Sequence, residues 1–189
     1  MRKILRNRLA LSTVVTTLII LVVSVLLAGV VTYFAINVVS TRVQQESLKI
    51  SCPSVWVDSA GTAQAAMLIT NTGGRDVVIS RIEIRGIAAD FATNVYYEVN
   101  TGGTIPGSLS ALIAADIVGT DVFTTSSTSL AAATGQLVLT SGSTMAVYIT
   151  APTSVSIQDV GTTIGMTVFT AQAMYYQETN VQTTATVIG

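Results

Sequence analysis

The chain has no histidine, one cysteine and only three prolines, and charged residues make up 10% of it. An ordinary globular protein carries about 25% charged residues. Without histidine there is no Ser-His or Cys-His pair and no histidine-ligated metal. The two lysines are Lys3, in the leader, and Lys49, so a serine–lysine dyad would have to use Lys49, and no serine is marked as its partner. The acidic pair Asp116 and Asp121 does not have the spacing of an EF-hand loop and reads as solvated. We therefore expect no catalytic, metal or cofactor site, and a protein that is not an enzyme. Cys52 cannot form a disulfide within the chain; it reads as a small apolar core residue, with an intermolecular disulfide or lipid attachment as alternatives. No Asn-x-Ser/Thr sequon is present.

The longest absence is of charge. From Leu9 to Thr41 there is no Asp, Glu, Lys or Arg. The polar residues in that run are mostly Ser and Thr, whose hydroxyls can bond back to the helix's own carbonyls. Such a run reads as a membrane-crossing helix. Arg2, Lys3, Arg6 and Arg8 precede it with no acid among them, so the N-terminus is expected in the cytoplasm and the remainder outside. The run exceeds its task. As a helix it rises roughly 50 Å, against about 30 Å of hydrocarbon, and tilt shortens it by only a few Å. Tyr33, Phe34, Ile36, Val38 and Val39 then need cover from elsewhere, either the chain's own domain or copies of the same helix. A cleaved signal peptide is disfavoured, because the run is more than twice a usual h-region and no A-x-A site follows. Ser24, Ala28, Thr32 and Ala35 place small residues on one helix face, a pattern that permits close helix approach.

Without the four leading cations, five Lys and Arg stand against ten Asp and Glu, a balance of −5. An acidic exterior disfavours nucleic acid as a ligand. Residues 1–10 read as a basic leader, 11–47 as the helix and 48–189 as an exported domain; the polar run Arg42 to Ser47 is expected to end the helix or add one turn.

After residue 48 the period changes from helical to alternating. LKISCPSVWVD is a strand interrupted at Pro53, which suits an edge or bulge. AQAAMLIT and VVISRIEIRGI follow, separated by a turn at Asn71–Gly74. In the second, Val78, Ser80, Ile82 and Ile84 are expected on one face and Arg81, Glu83 and Arg85 on the solvated other face. NVYYEVN is another strand. Gly102 to Ser129 reads as a long loop with one or two short strands. Two strands flank Ser141–Ser143, and a final pair is expected with its turn near Glu178–Asn180. The tyrosine pairs Tyr96-Tyr97 and Tyr175-Tyr176 each place one ring inward and one outward, as core and rim or as a sugar-stacking surface. Short β-branched strands with frequent turn signals predict an antiparallel β-sandwich, with Trp56, Ile82, Ile84, Leu137, Leu139 and Val168 mainly buried.

Around Arg8-Leu9-Ala10-Leu11-Ser12-Thr13-Val14-Val15, the sequence resembles the N-termini of archaeal type IV pilin-like proteins, which carry a motif like R-A-[VL]-S-P-V-[VI] between a basic leader and an apolar helix. This chain has Thr13 where the family often has proline, and Leu9 intervenes between Arg8 and Ala10. The segment MLITNTGGRDVVISRIEIRG also resembles strand-turn-strand pieces of archaeal exported domains. The glycine-rich opening typical of archaellin helices is not found. The resemblance implies cleavage by a prepilin peptidase between Ala10 and Leu11, or alternatively after Arg8. It also implies an immunoglobulin-like outer domain, passage through the membrane before assembly, and pilus machinery that builds a homopolymer through the helix. The expectation is thus a structural subunit of an extracellular adhesive filament, with neither nucleic acid nor cofactor. The alternative is a monomeric cell-surface binding module anchored by an uncleaved helix.

Overall fold

The computed structural model describes residues 2–43, 45–124 and 127–188, with side chains over 11–41, 45–124 and 127–188. The chain divides into two compact units, Met1–Val43 and Gln44–Gly189. The first is one helix, α1 (Arg2–Val43). It contains no proline, and leucine, valine, isoleucine and alanine dominate it, so nothing interrupts the backbone ladder. The helix stops short of the expected residue 47. Beyond the undescribed Gln44, the carbonyls of Gln45 and Ser47 accept N–H bonds from Gly74 and from Thr72 and Gly73, so this stretch belongs to the second unit.

The second unit is a mostly antiparallel, curled β-sheet. Its strands are β1 (Leu48–Val57), β2 (Ala63–Asn71), β3 (Val77–Ile84), β4 (Ile87–Ala88), β5 (Val95–Val99), β6 (Ala131–Ala132), β7 (Leu137–Leu139), β8 (Thr144–Thr150), β9 (Thr163–Thr170) and β10 (Met174–Thr183). Their order is β4-β3-β9-β10-β1-β2-β8-β5-β6, with β7 on β3 as well. The sheet is mixed where pure antiparallel pairing was expected: β1 and β10 run parallel over Val55–Val57 and Val181–Thr183. β1 pairs with β2 along nearly its whole length, with a register shift between Ser51 and Ser54. That shift is the bulge expected at Pro53, and Cys52 within it has φ +50°.

The curl places side chains of both halves of the sheet in one core. Met67, Ile69, Met145, Val147 and Ile149 meet Val77, Ile79, Ile82, Ile84, Leu139, Met166 and Val168. All six residues expected in the interior are buried, Trp56 being the most accessible at 6%. The alternation along β3 needs correction. Val77 and Ile79 point inward, while Val78 and Ser80 are exposed. β3 shifts register against β9 between Ile79 and Arg81, and this bulge exchanges the two faces. Downstream of it Ile82 and Ile84 are buried, and Arg81 and Glu83 turn outward as expected.

Two further expectations change. The final turn lies at 171–173, with β10 running unbroken through Glu178–Asn180. Thr170 makes the turn there: its Oγ1 donates to the Ala173 carbonyl and accepts the Ala173 N–H at 3.0 Å. Residues 102–129 contain no strand among those described; a short 3-10 turn at Ala114–Asp116 takes that place. This β5–β6 connection lies over the outer face of β1, β2, β8 and β5. Ile117 and Leu130 pack on Trp56, Ala66 and Tyr148, and Phe123 packs on Leu68 and Ala146. β2 is consequently buried on both faces.

Candidate assembly surface

The most distinctive chemical feature of the chain is α1. Leu11–Thr41 is long and apolar enough to cross a membrane. Its large apolar side chains, from Leu11 to Val39, are exposed on every side of the helix. An apolar surface this complete requires lipid or other protein around it. The polar side chains fit that environment because they satisfy themselves locally. Thr16 donates to the Ser12 carbonyl at 2.9 Å, Thr17 to Val14 at 2.9 Å, and Ser24 to Ile20 at 2.7 Å. Thr32 donates to Ala28 at 2.8 Å, Asn37 to Tyr33 at 2.9 Å, and Thr41 to Asn37 at 2.9 Å. These five hydroxyls and one amide hydrogen of Asn37 thus stay within the helix rather than pointing bare into hydrocarbon.

At ~100° per residue, Ser24, Ala28, Thr32 and Ala35 fall within an arc of about 80°. The continuous helix keeps all four on that arc, and the inward turn of the Ser24 and Thr32 hydroxyls leaves its surface smooth. Thr17 lies on the same arc two turns before Ser24, a continuation the spacing of the four residues did not include. Of the pair flanking the expected cleavage point, Leu11 is exposed on the helix, while the side chain of Ala10 lies outside those described, as do those of the basic leader.

The other candidates are dispersed through the second unit. Asp116 sits in the 3-10 turn and Asp121 is exposed further along the β5–β6 connection. Cys52 is half-buried, its Sγ 3.3 Å from the Gly107 carbonyl. Tyr175 packs against the core while Tyr176 is exposed; Tyr96 and Tyr97 likewise face opposite sides of β5.

Four buried polar residues had no functional reading from sequence, and they prove to fasten the domain. Gln64 accepts the Leu112 N–H and donates to the Leu112 carbonyl, and Tyr148 donates to the Ser110 carbonyl. Glu98 accepts the Val122 N–H at 2.8 Å. Asp58 accepts N–H bonds from Ala60, Thr62 and Ile188. Burial pushes the Tyr148 phenol up to about 12, since its anion would lose hydration. Against this background of structural polar groups, neither a scan of protein-family models nor a search of curated proteins finds a match to the chain.

Proposed function

We propose that this protein is the structural subunit of an extracellular type IV pilus-like filament, polymerised through α1 and displaying the β-domain outward. The observation that carries this reading is the uncharged Leu11–Thr41 helix, apolar on all sides and roughly 45 Å long, about half as long again as the hydrocarbon core. Packing against identical helices accounts for that surplus. The local hydrogen bonds of Ser24 and Thr32 keep those hydroxyls satisfied whether lipid or protein surrounds the helix. The arginines and Lys3 hold the precursor's N-terminus in the cytoplasm, and cleavage between Ala10 and Leu11 removes all four leading cations. The cut leaves no charged side chain between Leu11 and Thr41 and frees the helix of its cytoplasmic anchors.

We read the curled sheet as an immunoglobulin-like sandwich. Supporting this, the β2-β8-β5 and β3-β9-β10 ladders close over one core and are joined through only three parallel residue pairs of β1 and β10. The second reading, a monomer held at the cell surface, draws on the same helix, since Leu11–Thr41 also suffices as a permanent anchor.

N-terminal sequencing of material sheared from cells separates the two readings. Chains beginning at Leu11 in filaments are expected, and chains retaining Met1 to Arg8 there would end the pilin reading. Ala28→Leu tests the contact face. It favours insertion in lipid yet separates helices that approach at Ser24, Ala28, Thr32 and Ala35. Membrane levels should stay normal while filament yield falls about tenfold, a change of ~1.4 kcal/mol. Unchanged filaments would exclude this face, and wild-type chains that never leave the membrane would favour the anchored monomer.

A further inference from the structure

The two outer faces of the β-domain differ. The β5–β6 connection covers the face of β1, β2, β8 and β5. On β3, β9 and β10 the outward side chains remain accessible: the Arg81 side chain is 50% exposed, Met174 64% and Tyr176 59%. Within this face Tyr176 is held in an unusual way. Its ring leans across the sheet, from the row it shares with Thr167 to the next row, where Glu178 opposes Gly165. A Cβ on Gly165 would come within 2.8 Å of the ring's Cζ, so the ring rests on glycine backbone that no other residue would leave free. The Tyr176 hydroxyl donates to Glu178 Oε1 at 3.0 Å and fixes the ring's orientation. One ring face lies on the sheet and the other looks outward. Beside it, Arg81 is bound to Glu83 at 3.1 Å and stacks 4.1 Å over Phe169.

We propose that this face binds a neutral polysaccharide, with Tyr176 as the stacking platform and Glu178, Glu83 and Thr167 as hydrogen-bond partners for sugar hydroxyls. The C–H face of a pyranose is apolar and flat, which matches an immobilised ring. Its vicinal hydroxyls are donors that carboxylates accept strongly. Charge selects against other ligands. Arg81 and Glu83 neutralise each other and Glu178 leaves the face with net negative charge, so it does not attract polyanions. A protein partner would want a contiguous apolar patch. Here Phe169 is capped by Arg81, and Met174 and Tyr176 are set among Thr163, Thr167, Glu178 and Asn180. The assignment is independent of whether the protein polymerises.

The test uses the full chain in a detergent without a sugar headgroup, passed over amylose, curdlan and mannan beads, with heparin beads as the anionic comparison. Retention on at least one neutral polymer is expected. Tyr176→Ala should weaken it about tenfold or more. Gly165→Val keeps the ring but lifts it off the sheet, and should weaken binding similarly, whereas Tyr176→Phe retains most of it. Thermal midpoints report whether each variant is folded; should Gly165→Val unfold, Tyr176→Ala at its exposed position decides alone. Wild-type protein that passes all three neutral polymers, binds heparin only, or binds equally well as Tyr176→Ala overturns the proposal.

Discussion

A single hydroxyl shows how polar groups govern this domain. Tyr148 is buried in an apolar cluster, yet its oxygen reaches the Ser110 carbonyl at 3.1 Å. The folded state holds the phenol's ionisation above its ordinary value of 10.0, up to about 12, so this group's contribution to stability is complete below pH 10 and is lost as the pH rises through 12. Tyr148→Phe should cost about 1 kcal/mol at neutral pH, because it leaves the Ser110 carbonyl unpaired. It should also flatten the alkaline decline. Urea unfolding at a series of pH values from 7 to 12 measures both, and an unchanged alkaline slope would mean that the phenol does not titrate as described. Glu98 presents the same lesson from the side of interpretation. In VYYEV it alternates as an outward strand residue, which in sequence signals solvent, yet it is buried and accepts the Val122 N–H. The group that satisfies it is 24 positions away, and no local pattern encodes that distance.

Among elements, the strands were legible and their exceptions were not. Ile82, Ile84, Leu137, Leu139 and Val168 announce an inward face by period alone. The β3 bulge escapes that rule, because one extra residue flips Val78 and Ser80 outward without altering composition. The turn at 171–173 was hidden because Ala-Gln-Ala carries no glycine or proline; the Thr170 side chain supplies the bonds that such residues usually make unnecessary. The β5–β6 connection is the largest surprise, a segment without described strands that nonetheless forms a third layer over the sheet. Phe123 is its main apolar anchor, wholly buried against Leu68 and Ala146. Phe123→Ala should destabilise the domain by about 3–5 kcal/mol. Limited proteolysis should then cut first within residues 104–130 while the strands persist. Early cuts in β2 or β8 would instead show that the connection is not a separable layer. The helix, by contrast, was legible in type and, at its C-terminal end, to within a few residues, since a charge-free run of that length has few alternatives; its start was not, because α1 begins at Arg2 and takes in the basic residues read as a separate leader.

At the level of the whole molecule, each unit has its own apolar logic. The β-domain closes its core with its own strands, whereas the large apolar side chains described on α1, from Leu11 to Val39, are all exposed. A fragment of residues 45–189 should therefore fold and sediment as a monomer, with the full chain associating in detergent; a fragment that forms large assemblies would move the polymerising contact into the β-domain. Charge follows the same division. No lysine or arginine occurs after Arg85, so the later strands and the β5–β6 connection carry only acids as charged residues, which disfavours non-specific adhesion of the β-domain to anionic surfaces. The stretch that follows the helix has one more consequence. Gln45 and Ser47 are bonded to the turn at Thr72–Gly74, and β1 then runs from Leu48 to Val57 between β2 and, at its far end, β10. A mechanical pull on Gln45 directed along β1 loads these ladders in shear, so that their bonds must fail together rather than open one after another. A strand held in that way makes the start of the β-domain resist stretching, so a load applied through Gln45 would be borne by the whole ladder at once.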